Sequence, residues 1–309
     1  YYQNESLRFG ADYILPKPFD PRLITSIAPA VAQAAIDSGV ATRPFKSLKE
    51  YTKSLEPLVY RTGNVMRPIF EMAQLRETRV VYTDGENDRV LRAIQDVVDQ
   101  GYARPILLGQ RKVILEQSKQ LSLRLKIDQD FDVIECESKD LDVRLKIAKS
   151  LLDDKKADGI LTGPNAKLHE QISLIEEQIG LKPNCNQMAV MHLLLLDKGS
   201  YFIADTSVHE VPTAEELANI TIMAANEILR FGMEPRAALL SHSSFGSHPT
   251  ESSLKMAKTK KLLTELSPTL EVDGEMKGGT ALNAITRDKS GKSTLTGNAN
   301  LLIMPNLDA

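Results

Sequence analysis

The sequence predicts an α/β protein of two wound subdomains, with a mixed, mostly parallel sheet, a cleft between the subdomains, and a helical linker in front. From about residue 79, short apolar runs alternate with amphipathic helical patterns. Such runs, bounded by turn residues and separated by helices, are typical of parallel sheets covered on both faces. A hydrophobic content of 42% and a charged content of 26% indicate a globular protein with a packed core.

The strands can be placed one by one along the chain. The first half contains four strand-like runs, RVVYTDG (79–85), ARPILLG (103–109), FDVIEC (131–136) and DGILTG (158–163). MAVMHLLLLDKGSYFIADTS (188–207) breaks this rhythm, and we expect it to form two strands joined near residues 197–200 as a hairpin. Three more strand-like runs follow, RAALLS (236–241), LEVDGE (270–275) and NANLLIMPN (298–306).

Capping residues mark the helices of the second half. The clearest helix is predicted over 212–232, because Thr213 and Glu216 can form a capping box and Gly232 can close the last turn. A further helix is expected over 250–266, after the serine-rich run SHSSFGS.

Residues 1–60 differ in composition from the rest. They contain PKPFDPR (16–22) and an alanine-rich helical stretch over 28–39. We therefore expect a tail and linker over 1–60 and a folded domain over 61–309. The first and last residues show no sign of a natural start or stop, and the sequence suggests a piece of a longer protein.

Composition excludes some classes of function. The net charge is −3, and no Lys/Arg cluster is dense enough for a nucleic-acid footprint. No run approaches the ~18 apolar residues of a membrane span. The two cysteines, Cys136 and Cys185, do not form a disulfide framework, so we expect a reducing, cytoplasmic compartment.

Several familiar motifs fail on inspection. GKS at 291–293 resembles a phosphate-binding loop, but Thr286 stands where that loop needs a glycine. No G-x-G-x-x-G occurs, and no G-x-S-x-G is present. The five histidines do not show paired metal-ligand spacing, although two that flank one loop could meet; they are His169, His192, His209, His242 and His248. Two ligands do not complete a zinc site, and we expect surface or hydrogen-bonded histidines and no metal.

Polar clusters follow four of the predicted strands. They are LLSHSSFGS (239–247), VDGEM (272–276), PNLDA (305–309) and DTSVHEVPT (205–213). In wound sheets, ligands bind beyond the carboxyl ends of strands, where hydroxyls and backbone amides can hold an anion or an amide. Ordinary strand-end loops have the same composition, so these clusters alone name no ligand.

These residues carry a family resemblance. From about Arg79 onward, RVVYTDGENDRVLRA, RPILLG, ALLSHSSFGS, VDGEM and NANLLIMPNLDA resemble motifs of the phosphate acetyltransferase and phosphate butyryltransferase family. KMAKTKKLL and MPNLDA resemble the subgroup fused behind a malic enzyme. FGADYILPKPFDPRLITSIAPAVAQAAIDSGVATRP (9–44) resembles the tail of the bacterial malic enzyme catalytic domain.

The resemblance implies two α/β subdomains with acyl-CoA in the cleft between them. It also implies pairing of two chains through this domain, and a covalently attached malic enzyme domain that binds NADP and Mg²⁺ or Mn²⁺. This sequence departs from the family in three places. The region between Cys136 and Asp158 is shorter and lacks an arginine-rich segment, Gly279 stands where Asp is usual, and His209 stands where Asn is usual. No catalytic residue can be assigned, and this chain itself is expected to hold no cofactor.

Three functions remain open. The chain is a regulatory domain that binds acetyl-CoA as an inhibitor of malic activity, a working phosphate acetyltransferase, or an oligomerisation scaffold. The absence of the family's arginine-rich segment favours a regulatory domain over an acetyltransferase. The polar loops at the strand ends favour a regulatory domain over a scaffold. We expect acetyl-CoA to contact seven residues: Ser241, Ser243, Gly246, Ser247, Asn300, Asn306 and Asp308. Three lysines of the following helix are candidates for its phosphates, with a solvated helix face as the alternative: Lys255, Lys258 and Lys260.

Overall fold

The structure is a computed structural model that describes residues 22–59, 63–163, 167–183, 185–196, 199–288 and 291–309. Contacts within the chain divide it into two compact units, Tyr1–Arg67 and Pro68–Ala309. The sequence places this boundary earlier, after residue 60. The motif PKPFDPR, apart from its last residue, and the first part of the malic enzyme-like segment lie outside the described residues.

The described part of the first unit is helical, as the sequence predicts. Helices α1 (Arg22–Asp37) and α2 (Leu48–Val59) pack against each other, and α3 (Gly63–Gln74) follows them in the chain. Phe45 stacks on Tyr51 with ring centroids 4.9 Å apart. The helix expected over 28–39 begins six residues earlier, at Arg22. It ends before Gly39, whose φ of 74° is the left-handed conformation that glycine adopts most easily.

The second unit begins with the last part of α3, from Pro68. A parallel sheet of four strands follows, β1 (Arg79–Tyr82), β2 (Arg104–Gly109), β3 (Asp132–Glu135) and β4 (Gly159–Leu161). Their order in the sheet is β3-β2-β1-β4, and every pairing is parallel. All four strands predicted for the first half are therefore confirmed. Because the chain moves outward from β1 to β3 and then returns to the other side of β1, the order of the strands reverses between β1 and β4.

Helices cover both faces of this sheet: α4 (Asp88–Gln100), α5 (Arg111–Gln120), α6 (Leu141–Asp153) and α7 (Leu168–Gln178). Neighbouring residues of a strand point to opposite faces, so Val81 and Tyr82 belong to separate cores. Val81 packs with Ala148 of α6 and its neighbours, while Tyr82 packs with Leu91 and Ile94 of α4. Two buried faces explain why these strands are continuous apolar runs.

The second sheet contains five strands, β5 (Met191–Leu196), β6 (Gly199–Ala204), β7 (Arg236–Leu240), β8 (Glu271–Met276) and β9 (Leu301–Ile303). Their order is β5-β6-β9-β7-β8. β5 and β6 pair in antiparallel register, from Met191–Ala204 to Leu196–Gly199, which confirms the predicted hairpin. The other pairings are parallel, so the mixed, mostly parallel sheet expected from the sequence is also confirmed.

Four helices accompany this sheet: α8 (Ala214–Arg230), α9 (Glu251–Leu266), α10 (Gly278–Ala281) and α11 (Ala284–Asp288). The predicted capping box of α8 is present, since the Thr213 and Glu216 side chains each accept a backbone hydrogen bond from the other residue. α8 and α9 cover one face of the sheet, where Phe202, Leu217 and Leu239 are fully buried. α10 lies against the opposite face, beside Met276 and Leu302.

The predicted strand over 298–306 is much shorter in the structure, since β9 covers only Leu301–Ile303. Asn300 precedes β9, and its side chain is hydrogen-bonded within the protein. Its amide oxygen accepts from the Arg236 amide at 2.7 Å, and its amide nitrogen donates to the Glu234 carbonyl at 2.9 Å. The polar side chain therefore completes the hydrogen bonding that begins β7, which a reading of the apolar run could not show.

Candidate functional site

Four loops of the second sheet start at one edge. β6, β9, β7 and β8 are parallel neighbours in that order, so their carboxyl ends lie side by side. The loops that leave these ends begin with Asp205, Met304, Ser241 and Lys277. The structure thus brings together three of the four polar clusters expected from the sequence, those at 205–213, 239–247 and 305–309. The fourth, VDGEM (272–276), lies within β8 and not after it, which corrects the sequence prediction. We call this end of the sheet the carboxyl edge.

We call residues 241–248, which follow β7, the serine loop. Its backbone is fixed to β8, because the Ser241 amide donates to the Met276 carbonyl at 2.9 Å and the Phe245 amide donates to the Glu275 carbonyl at 2.9 Å. The Ser243 side chain is only 3% exposed, and its hydroxyl donates to the His248 carbonyl at 3.1 Å. Ser243 therefore holds the loop together and does not face a ligand, which corrects the sequence prediction for this residue.

Gly246 also needs a correction. Its amide was expected to be available to an anion, but it donates to the buried Glu275 carboxylate at 2.5 Å. Gly246 has a φ of 77° and open space where a Cβ would be, so the glycine is required by backbone conformation and not by a close neighbour. The anion bound by the Gly246 amide is thus the protein's own Glu275 carboxylate, and this hydrogen bond helps to fix the serine loop.

The remaining predicted ligand residues are divided between two edges of the sheet. Ser241 is half-buried and Ser247 is exposed on the serine loop, and half-buried Asn306 and exposed Asp308 follow β9 at the same carboxyl edge. Asn300 lies at the opposite edge, beside the first residue of β7. The sequence grouped it with the others because it assigned Asn300 to the wrong end of the strand.

The three candidate lysines of α9 are bonded to partners within the protein. Lys255 donates to the carbonyls of Pro212 at 2.9 Å and Pro305 at 2.7 Å, and burial lowers the pKa of its amine. Lys258 contacts Glu215 at 2.7 Å, and Lys260 contacts Asp273. Their expected role toward phosphates is therefore not supported, because helix spacing does not show which neighbouring elements approach each side chain.

A histidine–carboxylate pair lies in the loop after β6. Nδ1 of His209 is 2.7 Å from the Asp205 carboxylate, which also accepts from the amides of Val190, Ser207 and His209. Asp205 is 4% exposed. In the sequence, His209 stands out only as a departure from the family, and its pairing with Asp205 was not predicted. The signal that could have found the pair is the four-residue spacing of Asp and His in a loop that starts at a strand end.

Asp205→Asn is expected to lower the free energy of unfolding at pH 7 by about 1–2 kcal/mol, because the ring and amide donors lose a charged acceptor. Burial raises the pKa of Asp205, but the bonds from His209 and three amides outweigh it, so the pKa lies below its ordinary value. The stabilisation is complete above the unfolded pKa of about 3.9 and is lost as pH falls through the lower folded pKa.

Urea unfolding of wild type and Asp205→Asn at a series of pH values checks this expectation. The gap between the two should narrow below about pH 4. Asp308→Asn is the matched control, since Asp308 is exposed and its removal should change the midpoint little at any pH. An equal loss for both variants, or a gap that widens in acid, would contradict the role given to Asp205.

Within the second unit, we call the first sheet with its helices α4 to α7 the first subdomain, and the second sheet with its helices α8 to α11 the second subdomain. A cavity of about 330 Å³ lies between α7 of the first subdomain and the loop and helix after β6. Its lining includes Glu176 from α7, and His209, Glu215 and Glu216 from the second subdomain. Residues of the serine loop do not line it. The predicted cleft therefore has an acidic portion, which is unsuited to the phosphates of CoA.

A cluster of polar side chains that was not predicted from the sequence lies where the strands of the first sheet end. The Thr83 hydroxyl donates to Asp84 at 3.0 Å and lies 2.9 Å from the Thr162 hydroxyl. The Arg144 guanidinium, 5% exposed, donates to the carbonyls of Thr83 at 2.5 Å and Ser138 at 2.6 Å. Arg144 is one of the buried residues of α6, whereas arginines on the helices of globular proteins are usually exposed.

Comparisons with known proteins agree with this architecture. The family model described as phosphate acetyl/butaryl transferase matches residues 64–145 and 137–309. The structure of EutD phosphotransacetylase from Staphylococcus aureus superposes with a TM-score of 0.69 at 20% identity, covering 80% of this chain and 83% of that one. At this identity the likeness shows the fold, and the two-subdomain α/β prediction is confirmed.

Curated relatives point to a larger protein. The chain is 42% identical over 339 aligned residues to the NADP-dependent malic enzyme of Escherichia coli (strain K12), covering 100% of this chain and 44% of that protein. It is 40% identical over 337 residues to the NAD-dependent malic enzyme of Rhizobium meliloti (strain 1021), again with 44% of the relative covered. The chain thus spans less than half the length of these relatives. It belongs to the phosphate acetyl/butaryl transferase family, and it matches the carboxyl-terminal part of NADP-dependent malic enzymes.

Proposed function

We propose that this chain is a regulatory acyl-CoA-binding domain, and that acetyl-CoA bound to it inhibits malate oxidation by an attached malic enzyme domain. The whole protein would convert malate and NADP to pyruvate, CO₂ and NADPH. Regulation requires that acetyl-CoA favour one arrangement of the attached domain over another, since equal affinity for both shifts nothing.

The character of the carboxyl edge supports binding without transfer. Ser241, Ser247, Asn306 and the loop backbone offer uncharged groups suited to the amides of a pantetheine arm. Exposed Lys277, which follows β8, is available to a phosphate of the nucleotide end. Transfer from acetyl phosphate needs guanidinium groups for a dianion.

The arginines of the second subdomain do not meet that need. Arg236 starts β7 at the opposite edge, Arg230 pairs with Glu227 in the last turn of α8, and Arg287 is 1% exposed. Within residues 185–196, 199–288 and 291–309, which the structure describes for this subdomain, no exposed arginine follows β6, β7, β8 or β9 directly. This is the observation on which the choice of a binding domain over an acetyltransferase rests.

Cofactor, assembly and location complete the proposal. NADP and Mg²⁺ or Mn²⁺ would bind the attached malic enzyme domain, and we take NADP because the relative of higher identity is named for it. The domain would pair with a second copy of itself. Both cysteines are free, and no helix among the described residues has the length and hydropathy of a membrane span. We place the protein in the cytoplasm on its cysteine usage.

Two measurements on this chain test the proposal together. Calorimetry is expected to show saturable acetyl-CoA binding with a Kd in the micromolar range, roughly −8 kcal/mol. An assay of acetyl transfer from acetyl phosphate to CoA is expected to show no turnover. A rate near the ~10 per second of ordinary enzymes would establish the acetyltransferase instead. Absence of both binding and transfer would leave the oligomerisation scaffold.

A further inference from the structure

Two histidines meet at the mouth of the serine loop. The rings of His242 and His248 have centroids 5.4 Å apart and planes at 90°. Both residues are exposed. The proposed acyl-CoA function does not use either ring. From the sequence we expected that the two rings could meet, but that two ligands would not complete a zinc site and that no metal would bind.

The backbone beneath these rings is fixed from both sides. Ser241, next to His242, is bound to Met276 of β8 through its amide. The His248 carbonyl accepts from the hydroxyls of Ser243 at 3.1 Å and Ser253 at 3.2 Å. The folded loop therefore sets the backbone positions from which both rings project.

The spacing matches that of two imidazoles on one metal ion. With metal–nitrogen bonds of about 2.1 Å and a tetrahedral angle, the centroids of two bound rings lie about 5 Å apart. Rotation about the exposed Cβ–Cγ bonds, which have broad torsional wells, can aim one nitrogen of each ring at a shared ion. Nδ1 of His242 lies 3.4 Å from the Ser241 hydroxyl, which leaves Nε2 for the metal.

We infer that His242 and His248 form an open two-histidine site for a borderline divalent transition metal, Zn²⁺, Ni²⁺ or Cu²⁺. Imidazole suits these ions, whereas Mg²⁺ and Ca²⁺ prefer oxygen ligands. Among the described residues, no group of three or more His, Cys, Asp or Glu side chains is placed to hold a metal. Two protein ligands leave the other coordination positions to water or to an added ligand, so the ion is exchangeable and not structural.

Titration calorimetry of the tag-free chain with ZnCl₂ and NiCl₂ tests the inference. We expect one saturable site, weakened about tenfold or more by either His242→Ala or His248→Ala. His169→Ala and His192→Ala are the matched controls, because both side chains are exposed and lie on other elements, α7 and β5. Neither control should change the affinity, and MgCl₂ should give no saturable heat.

A second variant separates loss of a ligand from loss of the loop. His242→Cys supplies a thiolate and should retain zinc binding, while His242→Ala should not. Cu²⁺ spectra that show two nitrogen ligands in wild type and one in His248→Ala would add direct support. The inference is overturned if zinc and nickel show no saturable site, or if the two alanine variants bind them as wild type does.

Discussion

Asp273→Ala is expected to lower the free energy of unfolding by about 3 kcal/mol, the largest stability effect that we predict for a single side chain. Asp273 is fully buried in β8, and its carboxylate accepts from the amides of Gly274 at 2.8 Å and Thr294 at 2.7 Å. It also contacts the Lys260 amine of α9. Removal leaves the buried Gly274 amide and the Thr294 amide without this acceptor, and the Lys260 amine without its charged partner, since alanine replaces none of these bonds.

The same helix offers a matched ion pair. Lys258 contacts Glu215 of α8 at 2.7 Å, but both side chains are more than half exposed. Exposed pairs are screened by water and contribute little, so Glu215→Ala should leave the urea midpoint nearly unchanged. Urea unfolding of both variants decides the point. If Asp273→Ala and Glu215→Ala lower the free energy of unfolding by similar amounts, the buried Asp273 carboxylate does not stabilise the protein more than an exposed one does.

Local chemistry explains which parts of the fold could be predicted from sequence. The capping box at Thr213 and Glu216 was found because both members lie within four residues and act on the same turn. The strands of the first sheet were found because burial on both faces leaves an apolar run. In each case the residues that decide the structure are neighbours in the chain.

Hydrogen bonds between segments that are distant in the chain could not be predicted from the sequence. Asn300 looks like a residue at the end of an apolar strand, yet its bonds are to Glu234 and Arg236, more than sixty residues away. The partner of the Gly246 amide is Glu275, which the pattern marked only as part of a polar strand end. A count of polar residues at strand ends locates an edge of the sheet correctly. It does not show which of those groups are already bonded to one another.

The position of the serine loop could be predicted from the sequence, but the hydrogen bonds within it could not. The sequence located it at the end of β7, and the structure shows that Ser243 is internal while Ser241 and Ser247 remain accessible. A test by substitution must therefore avoid Ser243, since a leucine there would disrupt the hydrogen bond to His248 and the loop itself. This distinction sets the design of the experiment on acetyl-CoA.

Ser241→Leu combined with Ser247→Leu is expected to weaken acetyl-CoA binding at least about thirtyfold, or roughly 2 kcal/mol, because bulky apolar groups fill the space of the pantetheine arm and remove its hydroxyl partners. In the full-length protein, the same variant should lose acetyl-CoA inhibition and retain malate oxidation. Calorimetry measures the first effect, and malate-dependent NADPH formation with and without acetyl-CoA measures the second.

Two controls make this result specific to the carboxyl edge. Ser173→Leu places the same bulk on an exposed position of α7, and it should leave the affinity unchanged. Asn300→Ala should reduce stability through the lost bonds to Arg236 and Glu234 but not the affinity, because Asn300 lies at the opposite edge of the sheet. If Asn300→Ala abolishes binding while the serine variant binds normally, acetyl-CoA occupies a site other than the serine loop.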